Sequence, residues 1–153
     1  MNKYFESLYS VAVSLWVGGL FAIGYLAAPV LFAHLSDRML AGSLAGEMFT
    51  LVAWAGLACG GFLLIYLFSR RGWRAFKSGV FWIVLAMVLL TIAGHFGVQP
   101  ILAKLKADAL PRQVMESALR DRFATWHGVS SVLYLLQSLL GVWLVLWQER
   151  GKR

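Results

Sequence analysis

Long stretches without a charged residue dominate the pattern of hydrophobic and polar positions along the chain. Asp, Glu, Lys and Arg are all absent from residues 7–36, 48–69, 78–103 and 123–148. A helix needs about 20 apolar residues to cross the roughly 30 Å hydrocarbon core of a bilayer. The pattern therefore predicts four transmembrane helices, over residues 7–34, 48–68, 79–103 and 123–148, in one integral membrane domain that takes up residues 1–153.

The composition favours helices over a barrel. The chain is 60% hydrophobic and 14% charged over 153 residues, which leaves no room for a separate soluble domain beside four spans. Backbone groups in hydrocarbon must be satisfied within the protein, so a spanning segment is a helix or a strand of a closed barrel. Barrel strands alternate apolar and polar residues, and residues 62–68 and 80–90 do not. We therefore expect an all-α membrane protein, a four-transmembrane-helix bundle whose first partner is the lipid bilayer.

The net charge of +7 is better explained by membrane topology than by binding to nucleic acid. Residues 70–77, between the second and third spans, include four basic residues and no acidic one. Short basic loops favour the cytoplasmic side, so we predict a multi-pass protein with both termini cytoplasmic. Residues 104–122 are amphipathic, and Pro111 suits the first turn of a helix. We therefore expect an interfacial helix between spans three and four.

Small residues recur at helical spacing within the spans. The first span has small residues at four-residue intervals through Gly18, the second has Gly56-x-x-x-Gly60, and a stripe of polar and small residues in the fourth ends at Gly141. Membrane helices pack through small residues, which let two backbones approach closely. We therefore expect the faces that carry these four glycines to form the interior of the bundle.

The histidines are the candidate chemical groups, and all three fall toward the outer side in the predicted topology. Imidazole and thioether ligands suit copper, and paired axial histidines suit haem b. His34, His95 and His127 thus form a candidate metal site, with His95 and His127 as candidate cofactor ligands. We expect these two to approach each other or to share a polar pocket with Gln99 or Tyr134. A neutral imidazole hydrogen-bonded to a serine or tyrosine would give the same placement with no cofactor, and this alternative stays open.

Motifs of familiar enzymes are absent from the sequence. The chain has no phosphate-binding loop of the Gly-x-x-x-x-Gly-Lys-Ser/Thr type, no His-Glu-x-x-His zinc motif and no Gly-x-Ser-x-Gly nucleophile elbow. No catalytic residue is assigned, and the sequence favours a protein that is not an enzyme by itself.

Several short motifs carry a resemblance to known membrane proteins. Trp16-Val-Gly-Gly in the first span is followed by Pro29 and Phe32, which resembles the first helix of a broad membrane superfamily. Asp37-Arg38 and the stretch Ala41–Phe49 come next, and Arg120-x-x-Phe precedes His127-Gly at the start of the fourth span. With Pro100 near the end of the third span, this pattern resembles the bacterial relatives of transmembrane protein 205, a domain-of-unknown-function family. The resemblance implies a bacterial inner (plasma) membrane protein, and the family has no established activity to carry over.

A more distant similarity is to CopD-type copper-resistance proteins and HemJ-type haem-biosynthesis oxidases. These share a first helix with a motif like Trp16-Val-Gly-Gly. The HemJ type has a histidine about two turns before that tryptophan, where this chain has Leu8 and Tyr9. The departure argues against an oxidase and leaves a copper-linked role open.

Two functions therefore remain as hypotheses. One is a copper- or haem-linked role at the outer-side histidines. The other is a structural or assembly role without a cofactor, in which the bundle packs against another membrane protein or forms a homo-oligomer.

Overall fold

The computed structural model describes residues 3–110 and 114–150, and these residues form four long helices. No strand occurs among them. Each helix has a segment that is long and apolar enough to span a bilayer. The predicted all-α, four-transmembrane-helix bundle is therefore confirmed. The helices are α1 (Lys3–His34), α2 (Arg38–Arg71), α3 (Gly79–Ala109) and α4 (Arg120–Arg150).

Helix α2 begins well before the predicted start at residue 48. The carboxylate of Asp37 accepts hydrogen bonds from the backbone N–H groups of Met39 (2.8 Å) and Leu40 (3.1 Å). This side chain satisfies donors that a helix start leaves without partners. Ala41 and Ala45 in the added turns are buried, so the semi-polar segment before residue 48 is packed helix.

The connection between α3 and α4 differs from the predicted interfacial helix. Helix α3 continues past residue 103 to Ala109, and Val114–Glu116 forms a single 3₁₀ turn. In the described part of this connection there is therefore no separate α-helix, and Pro111 lies outside the described residues. At the other end of the bundle, α2 stops at Gly72, whose φ of 51° suits glycine, and the 3₁₀ turn Gly72–Lys77 leads into α3.

The tightly packed core lies in the half of the bundle near Lys3 and the Gly72–Lys77 turn, called here the terminal end. Trp16 of α1 is 1% exposed and packs with Leu63, Val84, Met87 and Leu144 from the other three helices. An ion pair between Arg70 and Glu6 (3.3 Å) joins α2 to α1 at the same end.

The opposite half, called here the distal end, carries the α1–α2 and α3–α4 connections and is less closed. Lys3–Phe21 of α1 packs against both α2 and α4, whereas Ala28–His34 packs against α2. The corresponding part of α3, Gln99–Ala109, packs against α4. The distal halves therefore form two pairs, α1 with α2 and α3 with α4, and a cavity lies between the pairs.

Two prolines mark the level at which this separation begins. Ala22–Ala27 in α1 and Ala93–Val98 in α3 are π-helical, and Pro29 and Pro100 follow them. A proline lacks the N–H and crowds the carbonyl one turn back, which disturbs the α-helical ladder. The backbone N–H groups of Ala28 and Gln99 instead bond five residues back, to Ile23 and Gly94.

Candidate functional site

The cavity between the distal halves has a volume of about 460 Å³ and takes lining residues from all four helices. Most of its wall is apolar, with Leu20, Phe32, Phe49 and Leu102 among the contributors. Both π-helical segments border it, and such segments occur often at functional sites. The polar lining residues are Tyr25, Thr91, His95, Gln99, His127, Ser130, Ser131, Tyr134 and Gln137.

A buried hydrogen bond forms part of the cavity floor. The side-chain amide of Gln137 on α4 donates to the hydroxyl of Thr91 on α3 (2.7 Å), and that hydroxyl donates to the carbonyl of Met87 (2.9 Å). Both side chains are 6% exposed. The sequence reasoning missed Gln137, although an amide in the middle of a span is itself a signal, because polar side chains inside a membrane avoid lipid.

Two tyrosines complete the floor. The Tyr134 hydroxyl donates to the backbone carbonyl of Leu20 (2.6 Å), and the Tyr25 hydroxyl donates to the Ser138 hydroxyl (3.1 Å). The Tyr134 ring lies so close to Gly24 that a Cβ there would overlap it. The hydroxyls at the floor are thus already engaged with protein partners, and they join α1 to α4.

The side wall carries the two histidines that the sequence placed together. His95 and His127 line the same cavity as Gln99 and Tyr134, so the predicted shared polar pocket is present. Nδ1 of His95 is buried and has no hydrogen-bond partner within residues 3–110 and 114–150. Its ring meets Trp54 edge to face at 5.7 Å between centroids.

His34 is not part of this group. It is exposed at the end of α1 and does not line the cavity. Within residues 3–110 and 114–150, no three side chains of His, Cys, Asp or Glu come close enough to hold a metal ion. The three histidines of the predicted metal site are therefore not brought together, because the end of α1 that carries His34 packs against α2, whereas His95 and His127 belong to α3 and α4.

A lateral cleft adjoins the cavity between α2 and α3. It has a volume of about 720 Å³ and shares Gly42, Gly46, His95 and Gln99 with the cavity. Glu47 lines this cleft but not the cavity, and it is exposed. The cleft therefore borders the cavity on the side of the bundle that α2 and α3 form.

Lys106 is not itself a lining residue of the cavity, but it lies one helical turn beyond the lining residue Leu102 on α3, a position called here the distal mouth. Its ammonium donates to the backbone carbonyl of Gly42 (3.2 Å), which lines the cavity, and lies 6.0 Å from the centroid of the Phe123 ring. The ring of His127 stacks on the same Phe123, with centroids 5.7 Å apart and planes at 11°. The side chain of Lys106 therefore reaches from α3 toward both α2 and α4.

Three of the four predicted packing glycines face the interior of the terminal half. A Cβ at Gly56 or Gly60 would press into the buried ring of Trp16, and one at Gly141 would lie 3.2 Å from Val17. Gly18 is exposed, and a Cβ there would meet no atom within 4 Å. The prediction for Gly18 is wrong, because α1 turns its other face, with Trp16 and Val17, toward the core.

The fold and the cavity define the class of the protein, a small multi-pass membrane protein with four helices and a largely apolar distal cavity. The chain belongs to the family described as "Domain of unknown function (DUF4149)", whose model matches residues 11–111. The match includes most of α1, all of α2 and α3, and the two π-helical segments, and it ends before His127, Tyr134 and Gln137. No curated protein and no solved structure gives a significant match to the chain.

Proposed function

We propose that the protein binds a membrane-soluble small molecule, with an apolar body and a hydrogen-bonding head group, in the distal cavity. The observation that carries the proposal is the cavity itself, which has a volume of about 460 Å³ and a mostly apolar wall. Ligand sites are typically clefts of about 300–1,000 Å³ lined by apolar and aromatic side chains with a few placed polar groups. The wall has that character.

The head group is expected to lie against the side wall and not at the floor. The polar groups of the floor already have protein partners. Gln137 donates to Thr91, Thr91 to a backbone carbonyl of α3, Tyr134 to a backbone carbonyl of α1, and Tyr25 to a serine of α4. Buried polar groups that are already paired gain little from a ligand. His95 has a buried nitrogen that lacks a hydrogen-bond partner in the described part of the chain. Gln99 and His127 line the same cavity, so these three are the proposed head-group contacts.

Access is proposed to come from the bilayer. Tyr25 and Leu135 line the cavity and are 45% and 50% exposed, on the surface that lipid would surround. A molecule dissolved in the bilayer would reach the site between helices. Because the turn at the terminal end is strongly basic, we place that end in the cytoplasm and the cavity in the outer half of a bacterial inner membrane.

The test is photo-crosslinking in phosphatidylcholine vesicles with diazirine-bearing long-chain fatty acid and fatty alcohol probes. Gly46 lines both the cavity and the cleft, and a Cβ there meets nothing within 4 Å, so Gly46→Phe would fill the space without first displacing a neighbour. Gly61→Phe is the matched control, since Gly61 is equally open but lies away from the cavity.

The proposal is supported if at least one probe forms crosslinks to cavity residues, if Gly46→Phe removes these crosslinks, and if Gly61→Phe keeps them. Equal labelling of wild type and both variants with both probes would overturn it.

A second candidate is haem b held in the same cavity by His95 and His127. The unpartnered Nδ1 of His95 favours it, because a buried nitrogen without a hydrogen bond is costly unless something binds it. The visible spectrum of protein purified in the presence of haem b tests it, with His95→Gln and His127→Gln as variants. A Soret band that both substitutions remove would support haem, and a spectrum without one would leave the lipid-soluble ligand. If the probe experiment fails as well, the structural or assembly role remains.

A further inference from the structure

We propose that the head group of this ligand is anionic, a carboxylate or phosphate on an acyl chain, and that Lys106 at the distal mouth binds it together with His127, the side-wall contact nearest to that lysine's neighbour Phe123. The proposal rests on the proposed function and adds the charge of the ligand to it. It is carried by the placement of one ammonium group and by the sign of the charges around the cavity.

The first argument is the position of Lys106. Gln99 and Leu102 line the cavity, and Lys106 follows Leu102 by one helical turn, which puts it on the same face of α3. Its ammonium is 3.2 Å from the carbonyl of Gly42, a residue of the cavity wall. The charge therefore lies at the mouth and is directed across it.

The second argument is that this ammonium has hydrogen-bonding capacity left. A lysine has three N–H donors, and one of them bonds to Gly42. In the part of the chain that the structure describes, the ion pair found is Arg70–Glu6, at the opposite end of the bundle. Lys106 thus has a neutral oxygen as its bonded partner and no described carboxylate within ion-pair distance.

The third argument is the charge of the wall. Among the described residues that line the cavity there is no Asp or Glu, and the ionisable side chains facing it include the imidazoles of His95 and His127. The carboxylate of Asp37 is held by the first backbone N–H groups of α2. Glu47 lies on the adjoining cleft and not on the cavity wall. The described charges around the cavity thus favour an anion on the Lys106 side.

The fourth argument is that His127 and Lys106 share a neighbour. Both contact the ring of Phe123, His127 by stacking and Lys106 through its ammonium. The two side chains thus border the same aromatic ring, and the proposal is that an anionic oxygen at the mouth bonds to both of them. Hydrogen bonds between charged partners are about twice as strong as neutral ones, and the low dielectric near hydrocarbon strengthens them further.

The experiment compares three diazirine probes of equal chain length in phosphatidylcholine vesicles: a fatty acid, a phosphatidic acid and the neutral fatty alcohol. Wild type is compared with Lys106→Gln and with Lys104→Gln, the matched control from the same exposed stretch of α3. An anionic probe should bind wild type about tenfold more tightly than the alcohol, as expected for a hydrogen bond to a charged group. Lys106→Gln should remove that preference and Lys104→Gln should keep it.

The outcomes separate the two proposals. If the alcohol labels the cavity as strongly as both acids and Lys106→Gln changes nothing, the ligand is neutral and this inference is overturned while the proposed function stands. If no probe labels the cavity in a way that Gly46→Phe blocks, the proposed function fails. The fatty acid and phosphatidic acid arms distinguish a carboxylate from a phosphate, and preference for either supports the inference.

Discussion

Helix packing at Gly60 offers a quantitative test of the terminal core. A Cβ at Gly60 would lie 2.9 Å from Cη2 and 3.0 Å from Cζ3 of Trp16, and it would overlap Val88. Carbon atoms prefer separations of about 3.5–4.0 Å. Trp16 is 1% exposed and has little room to move, and a valine in a helix is stiff at χ1. The methyl group of Gly60→Ala therefore has to push the two helices apart.

The magnitude follows from two opposing effects. Overpacking a well-packed core costs about 1–3 kcal/mol, and replacing glycine by alanine in a helix gains about 1 kcal/mol. Gly61 adjoins Gly60 in the sequence but lies on an open face, so Gly61→Ala should show only the gain in helix propensity. We therefore expect Gly60→Ala to be less stable than Gly61→Ala by about 1–3 kcal/mol, or about 5- to 150-fold in the unfolding equilibrium.

Reversible unfolding in mixed micelles with increasing dodecyl sulfate, followed by circular dichroism, measures this difference. Comparing the two alanine variants with each other cancels the helix propensity and leaves the packing term. Equal midpoints for Gly60→Ala and Gly61→Ala would show that α2 does not press on Trp16 as described, and the account of the terminal core would be refuted.

Two further predictions address the cavity floor and the topology. Thr91→Val keeps the shape of the side chain but leaves the buried amide of Gln137 without its acceptor, so it should destabilise the bundle by about 1–3 kcal/mol in the same unfolding assay; the double variant with Gln137→Leu should recover part of the loss, and an additive loss would contradict the pairing. In a Cys59→Ala background, a membrane-impermeant maleimide should label Glu116→Cys in intact cells and Arg74→Cys only after permeabilisation; the reverse pattern would place the cavity in the cytoplasmic half.

The four helices could be predicted because charge is excluded from hydrocarbon over the length of a span. The residues at which the helices begin and end could not be predicted from the absence of charge. A helix continues beyond the apolar stretch where a capping side chain and packing against a neighbouring helix stabilise the additional turns. Asp37 caps α2, and Ala41 and Ala45 are buried beyond the apolar stretch. The sequence contained this cap, but a carboxylate after an apolar run is equally typical of a loop.

The face that each helix turns toward the bundle interior could be predicted only in part. Spacing identifies a stripe such as the one through Gly18, but lipid and protein interior are both apolar, so spacing does not tell which of them the stripe faces. Polar side chains were better guides. His95, Gln99 and Tyr134 were expected to share a pocket, and they line one cavity.

The cavity itself could not be predicted, because a void depends on how the helices diverge. Pro29 and Pro100 were visible in the sequence, each late in a long apolar stretch. Both helices form a π-helical segment before these prolines. Whether a proline produces such a segment depends also on how the helix packs against its neighbours, which the sequence does not show. Gln137 could not be recognised in the same way, because it lies beside the stripe of polar and small residues that ends at Gly141 and not on it.

The central claim is that the distal cavity holds a small amphipathic molecule, and native mass spectrometry of the protein released directly from membrane vesicles tests it most directly. Wild type and Gly61→Phe should each show an added mass of one lipid-sized molecule, and Gly46→Phe, with the cavity filled, should appear without it. The same added mass on all three proteins, or on none of them, would contradict the account.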